Sequence, residues 1–154
     1  MYIDDAQYQK IVEETIIATV DIIFINQQSQ ILLWMRENEP LQWIYYIPWG
    51  RRIKNETVNS SVIRKAQEEV WIKIDPERLL FLWVYDDIFS KSKYQNIGTH
   101  CSSHTFVYKL NDKDIYQLQN DNQHSDLKFF DIQWDWLHEL IKLRIGDMQT
   151  KSFI

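Results

Sequence analysis

Residues 57 to 70, "TVNSSVIRKAQEEV", carry apolar side chains at Val58, Val62, Ala66 and Val70, every fourth position, with Ile63 beside them. That spacing gives one apolar face of a helix. Its polar face carries Arg64, Lys65, Gln67, Glu68 and Glu69. Before and after it the period changes. Residues 16–25, "IIATVDIIFI", are β-branched and apolar with one carboxylate, Asp21, inside: a buried strand with a polar exception. "NQQSQ" (26–30) reads as a turn and 31–36 as a second strand, which makes a hairpin. Residues 43–48 form a third extended piece stopped by Pro48. Residues 79–85, 99–110 and 127–132 read as strands, with a long polar loop from Asp86 and a loop or short helix from Asn111. Residues 136–145 place Leu137, Leu140, Ile141 and Ile145 on one side of a closing helix. Strands interrupted by two helices predict an α+β chain with a mostly mixed sheet.

With 154 residues, and no repeat, linker or low-complexity stretch, the reading is one domain over 1–154. A hydrophobic fraction of 45% is enough for a core. The net charge of -5 argues against a general nucleic-acid or membrane-surface binder, although a local basic cluster can still meet an anion. One cysteine, Cys101, excludes an internal disulfide framework and suits a reducing compartment. The start, "MYIDDAQYQK", is not a signal peptide, and no apolar run spans a bilayer; the expected location is cytoplasmic.

The stretch before and within the helix carries the chemistry. From Gly50 the spacing runs five residues to Glu56, seven more to Arg64, then Glu68, Glu69 and the apolar Ile72. Gly50 lets the backbone pass close to a ligand. Glu68 and Glu69 offer hard oxygens suited to Mg²⁺ or Mn²⁺ beside a phosphate. Arg36, Arg51 and Arg52 offer donors for an anionic oxygen. The same spacing also describes a solvated amphipathic helix with an Arg64–Glu68 pair, and residue types alone weigh the two equally.

The pattern resembles the Nudix hydrolase box, G-x5-E-x7-R-E-U-x-E-E-x-G-U with U apolar, matched at Gly50, Glu56, Arg64, Glu68, Glu69 and Ile72. It departs at Lys65, where the family has its first helix glutamate, and at Trp71, where it has glycine. The flanks "VDIIFINQQSQILLWMRENEPLQWIYYIPWGR" and "NDNQHSD" are similar to the GDP-mannose mannosyl hydrolase branch, over roughly residues 8 to 132. That branch keeps only the final box glutamate, so Lys65 is less damaging than in an ordinary Nudix pyrophosphatase.

The resemblance implies an α/β/α sandwich around a mixed sheet and a Mg²⁺-dependent hydrolase of GDP-mannose or a related GDP-hexose. Water attacks the anomeric carbon and GDP leaves, its charge neutralised by the ion and arginines. It assigns His124 as general base. Gly50 through its carbonyl, Glu69 and Gln123 are metal ligands, with Glu68 beside them. Arg36 and Arg51 align with diphosphate-contacting arginines, with the neighbouring Arg52 as the alternative to Arg51. Asp21 aligns with an acid that contacts substrate; as a residue it reads equally well as a hydrogen-bonded structural carboxylate. Glu56 and Arg64 are expected to form an ion pair bracing the loop. A homodimer is expected because the branch forms dimers. Two alternatives stay open: a Nudix enzyme cleaving a nucleoside diphosphate derivative at phosphorus, and an impaired Nudix fold that only binds a nucleotide sugar.

Other residues are weighed against these. His100 and His104 share a strand face and read as half-buried histidines ahead of a metal pair. Cys101 has no adjacent base and is not expected to be a nucleophile. Asp86 and Asp87 begin the loop where the branch has a histidine and aromatics. His138 is expected at the surface.

Three glycines are few, where roughly ten would be usual, and seven tryptophans are many. Trp34, Trp43, Trp49, Trp71 and Trp83 stand where the family favours glycine. GGG and TGG codons differ by one base, so drift, engineering or an altered reading of glycine codons would each give this pattern. A glycine after a helix usually takes positive φ, so Trp71 implies strain or a changed helix end. Trp49 either fills core or stacks on a ligand.

Overall fold

The computed structural model describes residues 3–120 and 126–154. Seven described strands form one mixed sheet: β1 (Ile17–Ile25), β2 (Gln30–Met35), β3 (Tyr45–Tyr46), β4 (Trp49–Arg51), β5 (Leu80–Phe89), β6 (Thr99–Lys109) and β7 (Leu127–Asp131). Their order is β3-β2-β1-β6-β5, with β4 paired to β1 and β7 to β2. β1 and β6 run parallel, from Ile17 opposite Cys101 to Ile25 opposite Lys109. The other pairings are antiparallel. Four helices accompany them: α1 (Asp5–Glu14), α2 (Val58–Val70), α3 (Asp112–Asn120) and α4 (Glu139–Thr150).

Alternation along β1 divides the core. Val20, Ile22 and Phe24 pack with Val62, Ala66 and Val70 of α2, joined by Ile115 and Leu118 of α3. Ile23 and Ile25 pack on the other face with Leu137 and with Ile141, Ile145 and Met148 of α4. Helices on both faces of a mixed sheet give an α/β/α sandwich: the α+β mixed sheet that the period changes predict, in the arrangement that the resemblance implies. No described helix is long and apolar enough to cross a membrane.

α2 begins where the sequence places it. Thr57 is its N-cap, its Oγ1 accepting from the Ser60 amide at 3.1 Å. At its C-cap, Trp71 adopts φ 58° and ψ 20°, the left-handed conformation expected of a glycine. Trp43 also sits at positive φ, 63°. Bulky L-residues resist this region, so the backbone keeps a glycine shape at both positions although the side chains are indoles.

Four elements differ from the sequence expectation. α1 has no strong apolar period; it is capped by Asp4, whose Oδ1 accepts from Gln7 N at 3.1 Å, and it buries only Val12. The third extended piece divides at Pro48: Tyr45–Tyr46 pairs with β2, while Trp49–Arg51 crosses to β1. β5 runs on through Asp86 and Asp87 to Phe89 instead of ending at Tyr85, because Asp87 finds a buried cation. The closing helix starts at Glu139, with His138 as its cap: His138 Nδ1 accepts from Leu140 N at 3.2 Å, so His138 is half-buried rather than a surface residue.

Candidate active site

β4 lies antiparallel to the start of β1, with Thr19 opposite Arg51 and Val20 opposite Gly50. The chain then loops through residues 52–57 into α2. Glu56 fixes that loop. Arg64 Nε donates to Glu56 Oε1 at 2.6 Å and Arg64 Nη2 to Oε2 at 2.9 Å, a bidentate pair. Glu56 Oε2 also accepts from the Ile53 amide at 3.0 Å and the Ser61 hydroxyl at 2.8 Å. Arg64 Nη2 reaches the Arg51 carbonyl at 3.1 Å, which ties helix, loop and strand together. The hydrogen bonds from Arg64 hold the Glu56 carboxyl down to about 2. This is the bracing pair that the box spacing implies.

One turn further along α2, Arg64 Nη1 donates to Glu68 Oε2 at 3.1 Å. Lys65 Nζ donates to the same Glu68 oxygen at 3.0 Å and to Glu69 Oε1 at 2.5 Å. Burial raises the Glu68 carboxyl, but the bonds from Lys65 and Arg64 outweigh it and hold it below its ordinary value. Gly50 takes no positive φ. Its missing side chain leaves the space that Lys65 occupies: a Cβ there would lie 2.2 Å from Lys65 Cε and 2.8 Å from Nζ, so the flexible end of the lysine would have to move aside. The lysine stem crosses the strand where glycine leaves room.

Gly50, Arg51 and Glu69 open onto a cavity of about 290 Å³ that Arg36, Trp34, Trp49, Tyr8, Thr19 and Cys101 also line. Arg36 follows β2 and is held by two loop carbonyls, its Nε donating to Pro40 O at 2.7 Å and Nη2 to Asn38 O at 3.3 Å. Its guanidinium lies 4.8 Å from the Trp49 ring centroid, and that of Arg51 lies 5.6 Å from the Tyr8 ring. Trp49 packs against the core, the first of its two readings, and also walls the cavity. A larger depression, about 510 Å³, lies beside the end of α1 and is lined by Glu13, Glu14, Ile88 and His100. It brings in no arginine or lysine, so it is the poorer place for an anion.

The predicted residues are brought together in part. Arg36, Arg51, Gly50 and Glu69 share the cavity, with Glu68 bonded to the same lysine as Glu69. Arg52 points elsewhere, its Nη2 donating to the Glu56 carbonyl at 3.3 Å, so Arg51 is the arginine at the cavity. Gln123 and His124 lie outside the described residues. Asp21 is not in the cavity wall. It is fully buried, with Oδ2 accepting from Arg144 Nη2 at 2.8 Å and from Thr105 Oγ1 at 3.3 Å. Arg144 Nη2 also reaches Asp87 Oδ2 at 2.6 Å. Asp21 therefore takes the structural of its two readings, in a buried triad with one cation and two carboxylates. Burial and the Asp87 charge push its pKa up to about 6 against the pull of Arg144.

Cys101 is buried, and burial pushes its thiol up to about 12, which removes the thiolate needed for attack. His100 Nε2 lies 3.1 Å from Asp86 Oδ1, and burial lowers the pKa of His104. Among the described residues, no three His, Cys, Asp or Glu side chains converge as a metal site. The oxygens of Glu68, Glu69 and Gly50 nevertheless suit a hard divalent ion. The cation on the two carboxylates here is the Lys65 ammonium.

Sequence reasoning missed Tyr8, Lys93 and Tyr94 of the cavity wall. Lys93 Nζ is 2.5 Å from Asp5 Oδ1 and lies over the Tyr8 and Tyr94 rings at 5.3 and 4.8 Å. The available signal was the basic, aromatic "KSKY" inside an otherwise polar loop.

The NUDIX domain model matches residues 15–147, a span that holds the braced loop, α2 and the cavity arginines. The chain belongs to the Nudix hydrolase family. It is 30% identical over 141 residues to the low-salt glycan biosynthesis protein Agl8 of Haloferax volcanii, covering 91% of this chain and 86% of that protein. Its fold matches a MutT Nudix hydrolase from Burkholderia pseudomallei with a TM-score of 0.67 at 19% identity, over 87% of this chain and 98% of that one. It also matches the Nudix domain of Shewanella oneidensis NrtR, solved with ADP-ribose, with a TM-score of 0.64 at 16% identity, over 97% and 99%. At these identities the two structures show the fold alone. Nudix hydrolases generally use a divalent metal such as Mg²⁺.

Proposed function

We propose that this Nudix protein hydrolyses a nucleotide sugar of the GDP-mannose type, releasing GDP and free sugar by attack of water at the anomeric carbon. The observation that carries the reading is the meeting of Arg36, Arg51, Gly50 and Glu69 on one aromatic-walled cavity. Two guanidinium groups match the charge and fork geometry of a diphosphate. The Trp49, Trp34 and Tyr8 rings offer faces for a sugar or base. At about 290 Å³ the cavity is at the small end for a ligand site, so it takes part of such a substrate and leaves the rest at its mouth. The glycan-related relative supports a sugar nucleotide over other Nudix substrates.

In this reading Arg36 and Arg51 bind and orient the diphosphate and stabilise the charge that develops as GDP departs. His124 takes the proton from the attacking water. Glu69, Glu68 and the Gly50 carbonyl, with Gln123, would hold Mg²⁺, which supplies further neutralisation of the leaving group. Loop 52–57, braced by Glu56 and Arg64, keeps Arg51 and Gly50 in register with α2.

The test is a product assay with GDP-mannose and Mg²⁺, followed by phosphorus and proton NMR. GDP and initially β-mannose are expected. GMP and mannose 1-phosphate would move the chemistry to phosphorus. A second reading, binding without turnover, is favoured by Lys65 seated on Glu69 and by two tryptophans in the cavity wall. GDP-mannose bound in calorimetry with no product would establish it.

A further inference from the structure

The family box has a glutamate where this chain has Lys65, and the structure shows where that lysine goes. Its ammonium bonds Glu69 at 2.5 Å and Glu68 at 3.0 Å, and its stem passes over Gly50, where a single added Cβ would collide with it. The side chain is only 12% exposed and that of Glu69 16%, so this contact is poorly screened by water. Around α2 the charges are Glu56, Glu68 and Glu69 against Arg64 and Lys65. Glu56 is committed to Arg64, which also shares Glu68, so Lys65 is the partner that neutralises Glu69.

We propose that Lys65 is an intramolecular competitor for the divalent ion: its ammonium is seated on Glu69 and Glu68 against Gly50, and a metal ion binds there only by displacing it. The inference rests on the reading of Glu69 and Gly50 as metal ligands. An ammonium tethered through its own helix is present at high effective concentration, so it weakens a free ion without changing a single ligand. The ion also meets one more positive charge than it would beside a neutral residue. Loading is therefore shifted toward high metal concentration, and the diphosphate, which brings negative charge of its own, favours the loaded state.

Mn²⁺ binding by the full chain, read from the paramagnetic resonance signal of free Mn²⁺ with no substrate present, tests this. Lys65→Gln should bind one Mn²⁺ at least about tenfold more tightly than the unsubstituted protein. Adding Glu69→Gln to Lys65→Gln should remove the gain. Lys65→Met, which keeps the stem over Gly50 without the charge, repeats the measurement if the glutamine variant does not melt cooperatively. Equal affinities with and without Lys65, no Mn²⁺ binding by either neutral variant, or a gain that survives Glu69→Gln would each overturn the proposal. Because no substrate is present, a protein inert toward GDP-mannose can still show the gain; that result would remove the proposed reaction and leave the competition standing.

Discussion

Replacing Asp21 by asparagine should change the pH dependence of stability. Arg144 is fully buried, and its one Nη2 serves Asp21 at 2.8 Å and Asp87 at 2.6 Å. Among the described residues, Oδ1 of each aspartate and Nε of Arg144 have no hydrogen-bond partner. A buried group with two negative charges and one positive is therefore under-satisfied when fully ionised. Burial, opposed by Arg144 and reinforced by Asp87, raises the Asp21 carboxyl from 3.8 to about 6. A carboxyl raised in the folded state holds its proton more tightly there than in the unfolded chain. Its contribution is complete below about pH 4 and is lost as pH rises through about 6. Two pKa units set a ceiling of about 3 kcal/mol on that loss. His104 and His138, both lowered by burial, act oppositely in the same window, so the quantity to read is the difference between proteins. Urea unfolding at pH 5 and pH 7.5 supplies it. Asp21→Asn should gain on the unsubstituted protein by about 1.4 kcal/mol between the two pH values, since about one pKa unit of the loss falls between pH 5 and about 6. Arg144→Met, which strands two carboxylates, should cost about 3–5 kcal/mol at pH 7.5. A difference between Asp21→Asn and the unsubstituted protein that is the same at both pH values would refute the reasoning.

Three further substitutions separate local causes. Trp71→Gly and Trp71→Ala both remove the indole, but at φ 58° glycine should be the more stable by about 1 kcal/mol in thermal melts, the reverse of the order in an ordinary helix; alanine equal or better would contradict a left-handed C-cap. Trp49→Gly removes a cavity wall and the ring under Arg36, and should lower kcat/KM for the nucleotide sugar about tenfold, equivalent to about 1.4 kcal/mol; an unchanged value would show that the Trp49 ring takes no part in binding substrate. His124→Ala should lower kcat by about two to four decades with little change in binding, and full activity would remove His124 as the base.

The α+β class was legible because most elements announce themselves by period, while the sandwich arrangement came from the resemblance to the Nudix box. β1 is mostly β-branched, and α2 has a cap at Thr57 and an apolar residue every fourth position. α1 was not legible: Tyr8, Ile11 and Val12 make too narrow a stripe, and it is held by a cap and by contacts to Tyr94 and Lys93 from a distant loop. The end of β5 was hidden for another long-range reason. Two aspartates read as a loop until Arg144, 57 residues on, supplies a buried partner for Asp87. The same cation decides Asp21, whose two readings the sequence left level. The Glu56–Arg64 brace followed from the resemblance to the Nudix box, since spacing alone offered only the Arg64–Glu68 pair, which also forms. The role of Gly50 did not: it takes no unusual φ, and its missing side chain makes room for Lys65. The left-handed Trp71 and Trp43 follow from the glycine-shaped places they occupy.

The most direct test of the account is the fate of oxygen from labelled water. Turnover of GDP-mannose in ¹⁸O-water, read by mass spectrometry, should place the label in free mannose and leave GDP unlabelled. Label in a nucleotide or sugar phosphate, with mannose carbon–oxygen bonds untouched, would contradict attack at the anomeric carbon.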